Sequence, residues 1–576
     1  MKVSDYIALF LKKKGITHVF ELSGGMITHL LDSLNQKTEI NIITMHHEQA
    51  AAFAADAYGR VTGLPGVALA TSGPGATNLL TGIGSAYFDS SPAIFITGQV
   101  NRHELKGGRP IRQLGFQETD IVAMATPITK ACFQVKDPAD IPQIFDQAFH
   151  IATEGRPGPV LIDIPMDVQN SQISDAYPDK VENPTIKVVP DAGMLSALIA
   201  AMQQAQRPVI LVGRGVRSAF ATHSLIALVE KLKIPVITTL LAVDVLPFQH
   251  PLRIGFIGSY GNRWANIAFG ESDFILVLGS RLDIRQTGAD TKFFENRTIY
   301  HVDCEAGEIN NRIKGCVPVV QDVKLFITEL LEAGKAQTFI INKNWASYIA
   351  GLKVKWPDTQ EVTVAENAIN PNTFMHQLSA ASVAAKIFLS DVGSHQMWAA
   401  QSLELNDGQL FLTSAGMGAM GFALPASIGA CMAINRQPLV VIIGDGCMQL
   451  NIQELQTIVR NKLPIKIVVM NNRNLGMIRQ FQDSYFESRY QSTYWGYTAP
   501  DFEKVAIAYG IESKTISLPD EVTDAVKWLW NKDNEGVPVL LQVMIDPLTN
   551  AYPKIAFGKP VTEMEPLAKP IEMEGT

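Results

Sequence analysis

The chain is 576 residues long, carries 48 Lys and Arg against 56 Asp and Glu, and is 47% hydrophobic. That length exceeds what one core sustains, and at roughly 100 to 200 residues per domain it predicts three or four domains. A net charge of −8 and a pI near 5.8 exclude a global basic field for nucleic acid or an anionic membrane, which leaves small-molecule chemistry.

From the N-terminus, MKVSDYIALFLKKKG carries charges inside its apolar pattern and predicts a helix, not a cleaved signal. The stretch MHHEQAAAFAADAYGR (45–60) places Glu48 at the start of a helix. Its mostly alanine neighbours leave the carboxyl poorly solvated and make it a candidate acid/base. The competing reading is an ordinary first-turn glutamate on the helix dipole. Short β-branched runs then alternate with helical patterns: GVALATS (66–72), AIFITGQ (93–99), PVLIDIP (159–165), and later PVILVGRG, FILVLGS, KIFLSDVG, LVVIIGDG, IKIVVMNN and PVLLQVMID. Near-continuous apolar strands separated by helices predict an α/β fold of parallel sheets covered on both faces. The polar stretch 169–190 and the region 335–371 around Trp345 and Trp356 read as linkers, which gives domains 1–168, 190–335 and 370–550 and a tail 551–576. EGRPGPVLIDIP (154–165) and EGVPVLLQVMID (535–546) end the first and third domains alike and hint at a duplicated sheet domain. Cys132, Cys304, Cys316, Cys431 and Cys447 form no Cys-x-x-Cys pair, which fits a reducing cytoplasm. No apolar run reaches the ~18 residues that would predict a membrane span.

The strand LVVIIG runs into Gly444-Asp445-Gly446, a turn whose backbone N–H groups favour anions. A carboxylate beside a phosphate is repulsive unless a cation lies between them. Residues 447–470 lead to Asn471-Asn472 at the end of the next strand, so Asp445 and Asn472 can converge at the carboxyl ends of neighbouring strands. A carboxylate, an amide oxygen and a backbone carbonyl are the hard ligands that Mg²⁺ takes together with diphosphate oxygens. The competing reading of Gly-Asp-Gly alone is a solvated turn.

These motifs resemble the thiamine diphosphate enzymes, and the resemblance extends over nearly the whole chain toward the catalytic subunit of acetohydroxyacid (acetolactate) synthase. TSGPGATN (71–78), FQETDI (116–121), SDVGSHQMWAAQ (390–401), GMGAMGFALPASIGA (416–430) and NNRNLGMIRQ (471–480) carry it further. The resemblance implies three doubly wound parallel-sheet domains: pyrimidine-binding, a middle FAD-type domain, and diphosphate-binding. It implies Mg²⁺ on Asp445, Asn472 and the Asn474 carbonyl. Thiamine diphosphate would lie among Val392, Gly393, Ser394, His395, Gly418, Met420, Gly444, Gly446, Cys447, Gly476 and Met477. Met420 would be the residue over which the cofactor bends, Glu48 would hydrogen-bond its pyrimidine ring, and Phe116 and Gln117 would face the reacting carbon. By composition alone, Met420 is core filler. In the middle domain the resemblance implies FAD, bound by Gly213, Thr239, Ile257, Gly258, Gly279, Arg281, Arg285, Asp303, Asp322 and Val323. Arg285 would also hold the second keto acid's carboxylate. Pyruvate and a second keto acceptor would be the substrates. The glutamate and the diphosphate site would come from different subunits of a homodimer or homotetramer.

The departures surround the acceptor. Phe481 stands where the synthases carry tryptophan, Met166 where they carry lysine, and Leu22-Ser23 where they carry tyrosine-proline. Between Val100 and Phe116 lie 15 residues, NRHELKGGRPIRQLG, several more than in the synthases. The basic side chains of this insert, Arg109 and Arg112 among them, read either as a solvated loop or as a phosphate-recognising lip. The lip reading, with the DIPMDV form and the segment AYPKIAFGKPVTEMEP (551–566), resembles carboligases that use a nucleotide-linked ketosugar as acceptor. The tail could be a lid or a frayed end. The rival functions are a simple 2-keto acid decarboxylase, a flavin oxidase, and a partner-binding subunit on an inactive synthase fold.

Overall fold

The computed structural model describes residues 1–173 and 192–571. Most of the expected linker 169–190 lies outside the described residues. The chain builds three six-stranded parallel sheets covered by helices.

The first sheet holds β1 (His18–Leu22), β2 (Asn41–Thr44), β3 (Gly66–Ala70), β4 (Ala93–Gln99), β5 (Ala131–Gln134) and β6 (Pro159–Pro165) in the order β2-β1-β3-β4-β6-β5. The second holds β7 (Pro208–Val212), β8 (Val236–Thr238), β9 (Arg253–Phe256), β10 (Phe274–Leu278), β11 (Thr298–Asp303) and β12 (Val317–Val320), in the order β12-β11-β10-β7-β8-β9. The third holds β13 (Ile387–Ser390), β14 (Leu410–Leu412), β15 (Leu439–Gly444), β16 (Ile465–Asn471), β17 (Glu512–Ile516) and β18 (Val539–Met544), in the order β14-β13-β15-β16-β18-β17. Counted from their own first strands, the first and third sheets share one order, as the matching sequence endings suggested. The second sheet reverses direction beside β7 and β10, which is the strand order of dinucleotide-binding folds. All nine apolar runs read from the sequence contain strands.

The first and third sheets are joined through the helices Glu48–Thr62 and Ala423–Ala433. Gly429 lets them touch, since a Cβ there would lie 1.9 Å from the Ala54 carbonyl oxygen. The alanines that surround Glu48 in sequence therefore serve a close helix contact: Ala50 to Ala55 are all buried in a core shared with Phe422, Ala426 and Ile428. Residues 335–371, expected as a linker, hold the helix Lys343–Lys355. Its Trp345 is buried in the core of the second domain and donates Nε1–H to the Pro208 carbonyl at 3.2 Å. The tail also departs from a frayed end. Residues 554–555 and 564–565 pair as an antiparallel hairpin, and Ile555, Val561 and Met564 are buried against Phe269 and Phe294 of the second domain.

One contact pins the segment between the second and third domains. His376 lies 2.9 Å from Asp358 through Nε2 and 2.8 Å from Glu404 through Nδ1. Burial lowers its pKa, but the two carboxylates outweigh burial and hold it above 6.5. The contact is therefore fully present below the unfolded value of 6.5 and is lost as pH rises through the raised folded value. His376→Gln is expected to lower the urea midpoint at about pH 6, by on the order of 1 kcal/mol, and to change it little at about pH 9.

Candidate active site

The carboxyl ends of β15 and β16 present the Gly-Asp-Gly turn beside the paired asparagines, because the two strands pair in register from Leu439–Ile465 to Gly444–Met470. Asp445, Asn472 and Asn474 are all buried, with Asp445 only 2% exposed. Burial pushes the Asp445 carboxyl up to about 6, against hydrogen bonds from Tyr497 and from the backbone N–H groups of Asp445, Gly446 and Asn472, which pull it down. Asn474 donates its backbone N–H to Asn472 Oδ1 at 3.2 Å and its Nδ2–H to the carbonyls of Asn472 (2.9 Å) and Pro547 (2.6 Å), which fixes the turn.

Around this carboxylate several polar atoms are buried with no hydrogen-bond partner among the described residues: Ser394 Oγ, His395 Nε2 and Asn474 Oδ1. They line a cradle. A Cβ on Gly476 would lie 2.7 Å from Asn472 Nδ2, 2.9 Å from Ser394 Oγ and 3.4 Å from Asn474 Oδ1, so only glycine leaves the space open. His395 packs against Gly393 and Gly444, and burial lowers its pKa to about 3, so it faces the site as a neutral imidazole. Cys447 donates Sγ–H to the Val392 carbonyl at 3.0 Å, which ties the turn after β15 to the one after β13. Met477 is half-buried on the helix that Gly476 begins.

Met420 reaches the same place. Its Cε would lie 3.3 Å from a Cβ on Gly446, and Gly418 and Gly421 on either side have φ of +65 and +82. Buried Asp391, which the sequence reading passed over, holds that turn by accepting the N–H groups of Gly421 at 3.0 Å and Ala423 at 2.7 Å.

Glu48 and Gln117 lie on the first domain and meet across the turn Gly73-Pro74-Gly75. A Cβ on Gly75 would lie 3.1 Å from Glu48 Oε1, and one on Gly73 would lie 2.9 Å from Gln117 Cβ. Glu48 is 6% exposed and its Oε2 accepts Asn78 Nδ2–H at 3.0 Å. Among the described residues no hydrogen bond joins Glu48 to Asp445. The neighbouring contacts to the third domain run from His46 N–H to Glu454 (2.9 Å) and from Asn451 to Gln49 (3.1 Å). Phe116 is 80% exposed, an uncovered aromatic at the rim. The basic insert folds on itself: Arg102 pairs with Asp167 at 2.7 Å, Arg109 donates to the carbonyls of Leu105 (2.9 Å) and Lys106 (3.3 Å), and Arg112 is exposed.

At the carboxyl ends of the second sheet lies a cavity of about 960 Å³ that also takes residues from the first and third domains. Gly213, Thr239, Ile257, Gly279, Arg281, Arg285, Asp303, Asp322 and Val323 line it. Gly258 does not; it holds the wall in place, because a Cβ there would lie 2.6 Å from the Arg285 carbonyl oxygen. Asp322 has a local partner, since it caps a helix through the Leu325 N–H at 2.9 Å. Phe481 is 41% exposed and meets Tyr485 (4.7 Å between centroids) and Phe486 (5.9 Å) in tilted ring contacts.

These sites fit the groups expected from the sequence. Among the described residues no group of three or more His, Cys, Asp or Glu side chains is placed to hold a metal ion. The Asp445 set has one carboxylate, so a divalent cation there needs anionic oxygens from a ligand, and the open cradle at Gly476 is where they would enter. The cavity, with six arginines and two buried aspartates in its lining, suits an extended ligand carrying phosphates and sugar hydroxyls. No helix among the described residues is long and apolar enough to cross a membrane, and all five cysteines are free.

Comparison with known proteins places the same features in order. Three domain models of thiamine pyrophosphate enzymes match: the N-terminal TPP binding domain over residues 1–124, the central domain over 195–330 and the C-terminal TPP binding domain over 391–543. The chain is 35% identical over 563 residues to the acetolactate synthase large subunit of Lactococcus lactis, covering 97% of this chain and 95% of that protein. It is 38% identical over 588 residues to the probable acetolactate synthase large subunit of Methanocaldococcus jannaschii, covering 100% and 96%. It is 37% identical over 555 residues to the acetolactate synthase large subunit of Corynebacterium glutamicum, covering 95% and 87%.

Proposed function

The chain belongs to the acetolactate synthase large-subunit family of thiamine diphosphate enzymes, and from that membership we propose that it decarboxylates pyruvate and joins the two-carbon unit to a second keto acid. The observation that carries this reading is the pairing of a lone buried carboxylate, Asp445, with an open cradle of unpartnered polar atoms at Gly476. When bound, thiamine diphosphate supplies the nucleophilic carbon and the electron sink for decarboxylation.

The chain's own residues bind, orient and exclude water. Asp445, Asn472 and the Asn474 carbonyl hold Mg²⁺, whose charge answers that of the diphosphate. Ser394, neutral His395 and the Gly444 to Cys447 turn would receive the diphosphate oxygens, and Met420, on the turn held by Asp391, would shape the cofactor's bend. Glu48 would hold or move a proton at Oε1, beside Gly75, while Asn78 keeps Oε2 in place. Gln117 stands across the turn from it, and Phe116 at the rim is covered by a second copy of the chain in a homodimer or homotetramer. The cavity of the second domain would hold FAD; Arg285 in its lining would offer a forked cation to the acceptor's carboxylate, and Phe481, outside that lining, an aromatic to its alkyl end. The five free cysteines support a cytoplasmic location.

A nucleotide-linked ketosugar acceptor rested on the basic insert, where Arg102 is bonded to Asp167 and Arg109 to the loop's own carbonyls, while Arg112 is exposed. Two of the insert's three arginines are thus engaged, and the acetolactate synthase relatives favour a second keto acid as acceptor. The test is pyruvate turnover with thiamine diphosphate, Mg²⁺ and FAD, following CO₂ and acetolactate together, with and without a nucleotide-linked 4-ketosugar. Rapid acetolactate from pyruvate alone is the expected result. Free acetaldehyde in its place would make the protein a decarboxylase, CO₂ released only with the sugar would restore the other acceptor, and flavin bleaching by pyruvate without oxygen would make it an oxidase.

A further inference from the structure

The loop between the helix Gly476–Tyr485 and the helix Phe502–Ala508 ends in the aromatic run Tyr494-Trp495-Gly496-Tyr497, for which the fold alone gives no reason. Trp495 and Tyr494 are about half exposed, but Tyr497 turns inward and donates its O–H to Asp445 Oδ2 at 3.0 Å. Gln449 Nε2 lies 3.4 Å from the same phenol oxygen, and a Cβ on Gly446 would lie 3.4 Å from it. The phenol therefore sits on the Gly-Asp-Gly turn itself.

The rest of the loop is built to deliver it there. Leu475, next to the ligand residue Asn474, donates its N–H to the Thr493 carbonyl at 3.0 Å. Gln482 donates to the Gln491 carbonyl at 3.0 Å, and the Tyr490 hydroxyl bonds Asp483. Glu487, Ser488 and Ser492 all hold positive φ, a sparsely populated conformation that persists only where surrounding contacts determine it. Two points of the loop only four residues apart are thus bonded, Thr493 beside Asn474 and Tyr497 to Asp445, so this short stretch bridges two of the three proposed ligands of one cation.

We infer that Tyr497 is a positioning residue for the divalent cation: by occupying Oδ2 it turns Asp445 into a one-oxygen ligand and couples this loop to cation binding. The physical reason is general, because a hydrogen bond to the second oxygen of a ligating carboxylate fixes its rotamer before the metal arrives. The inference rests on the proposed role of Asp445 as a cation ligand.

The test is a Mn²⁺ titration of the full-length protein with thiamine diphosphate present, read by electron paramagnetic resonance of free Mn²⁺, on wild type, Tyr497→Phe and Asp445→Asn. Tyr497→Phe removes one oxygen atom and keeps the ring, so the loop can keep its packing. Its expected effect is a Mn²⁺ affinity weaker by about 10- to 100-fold, with the turnover lost at limiting Mg²⁺ recovered at saturating Mg²⁺. Affinity in Tyr497→Phe within about twofold of wild type, while Asp445→Asn loses binding, overturns the role of Tyr497 and leaves the cation site standing. Wild type that binds no Mn²⁺ in the presence of the cofactor overturns both.

Discussion

Replacing Glu48 with glutamine is expected to slow acetolactate formation by about 10²- to 10⁴-fold, the range for a lost acid/base side chain. The substitution keeps the length and the buried position, and glutamine's own carbonyl oxygen can still accept the Asn78 N–H that now reaches Oε2 at 3.0 Å. What it removes is the capacity to hold a proton reversibly. Binding of thiamine diphosphate and Mg²⁺ is expected to survive, because the Asp445 set lies on another domain and no hydrogen bond among the described residues joins the two. Steady-state rates with separate calorimetric cofactor titrations check both halves. The proposed subunit arrangement adds a stricter consequence. Chains carrying Glu48→Gln and chains carrying Asp445→Asn, each inactive alone, are expected to regain about a quarter of wild-type activity on random pairing, since every mixed dimer then has one intact site. No recovery on mixing would place both residues of a site in one chain.

Replacing Arg60 with methionine carries the largest expected loss of stability, about 3 to 5 kcal/mol, because two buried carboxylates would lose their counter-charge. Arg60 and both its partners are fully buried: Nε lies 2.6 Å from Asp56 and Nη2 lies 3.0 Å from Asp89. The same guanidinium donates to the Thr413 carbonyl at 2.7 Å, and Asp89 accepts the N–H groups of Ala415 at 3.1 Å and Gly416 at 2.7 Å. This network crosses from the first domain to the turn that leads to Met420. Loss of catalytic rate is therefore expected along with the loss of stability. A double-mutant cycle with Asp89→Asn, read by urea unfolding, checks it; additive effects would mean the pair is not coupled.

Much of the fold was legible in the sequence, for a reason visible in the strands. A parallel strand covered on both faces must be apolar along its whole length, as in β4, β6, β15 and β16, which are buried at every position. Four of the six edge strands, β2, β5, β12 and β17, were not legible, because one flank meets solvent and the pattern breaks into half-polar runs such as ESKTI. The proposed cation ligands could be read because a strand, a glycine turn and the next strand's end are local features whose spacing survives in one dimension. Asn78 beside Glu48, Asp391 beneath the Met420 turn and Tyr497 on Asp445 could not, since tertiary packing alone brings them to their partners. Asp391, an acid at the very end of a buried strand, was the one with a local signal. In the basic insert the charge run left a solvated loop and a ligand-binding lip equally open, and only the fold shows that Arg102 has a partner in Asp167, 65 residues away.

The hairpin after residue 553 gives the chain an unusual mechanical connectivity. The polypeptide leaves the second domain, builds the third, and then returns so that Ile555, Val561 and Met564 complete the second domain's own core. Arg263 of the second domain holds the returning strand through the carbonyls of Met564 at 3.2 Å and Glu565 at 3.1 Å. The second domain is thus finished by residues that follow the third domain in the chain, and cannot close its core during synthesis until the third domain has been made. Its early folding therefore proceeds with an apolar face open, and the two domains are expected to lose structure together.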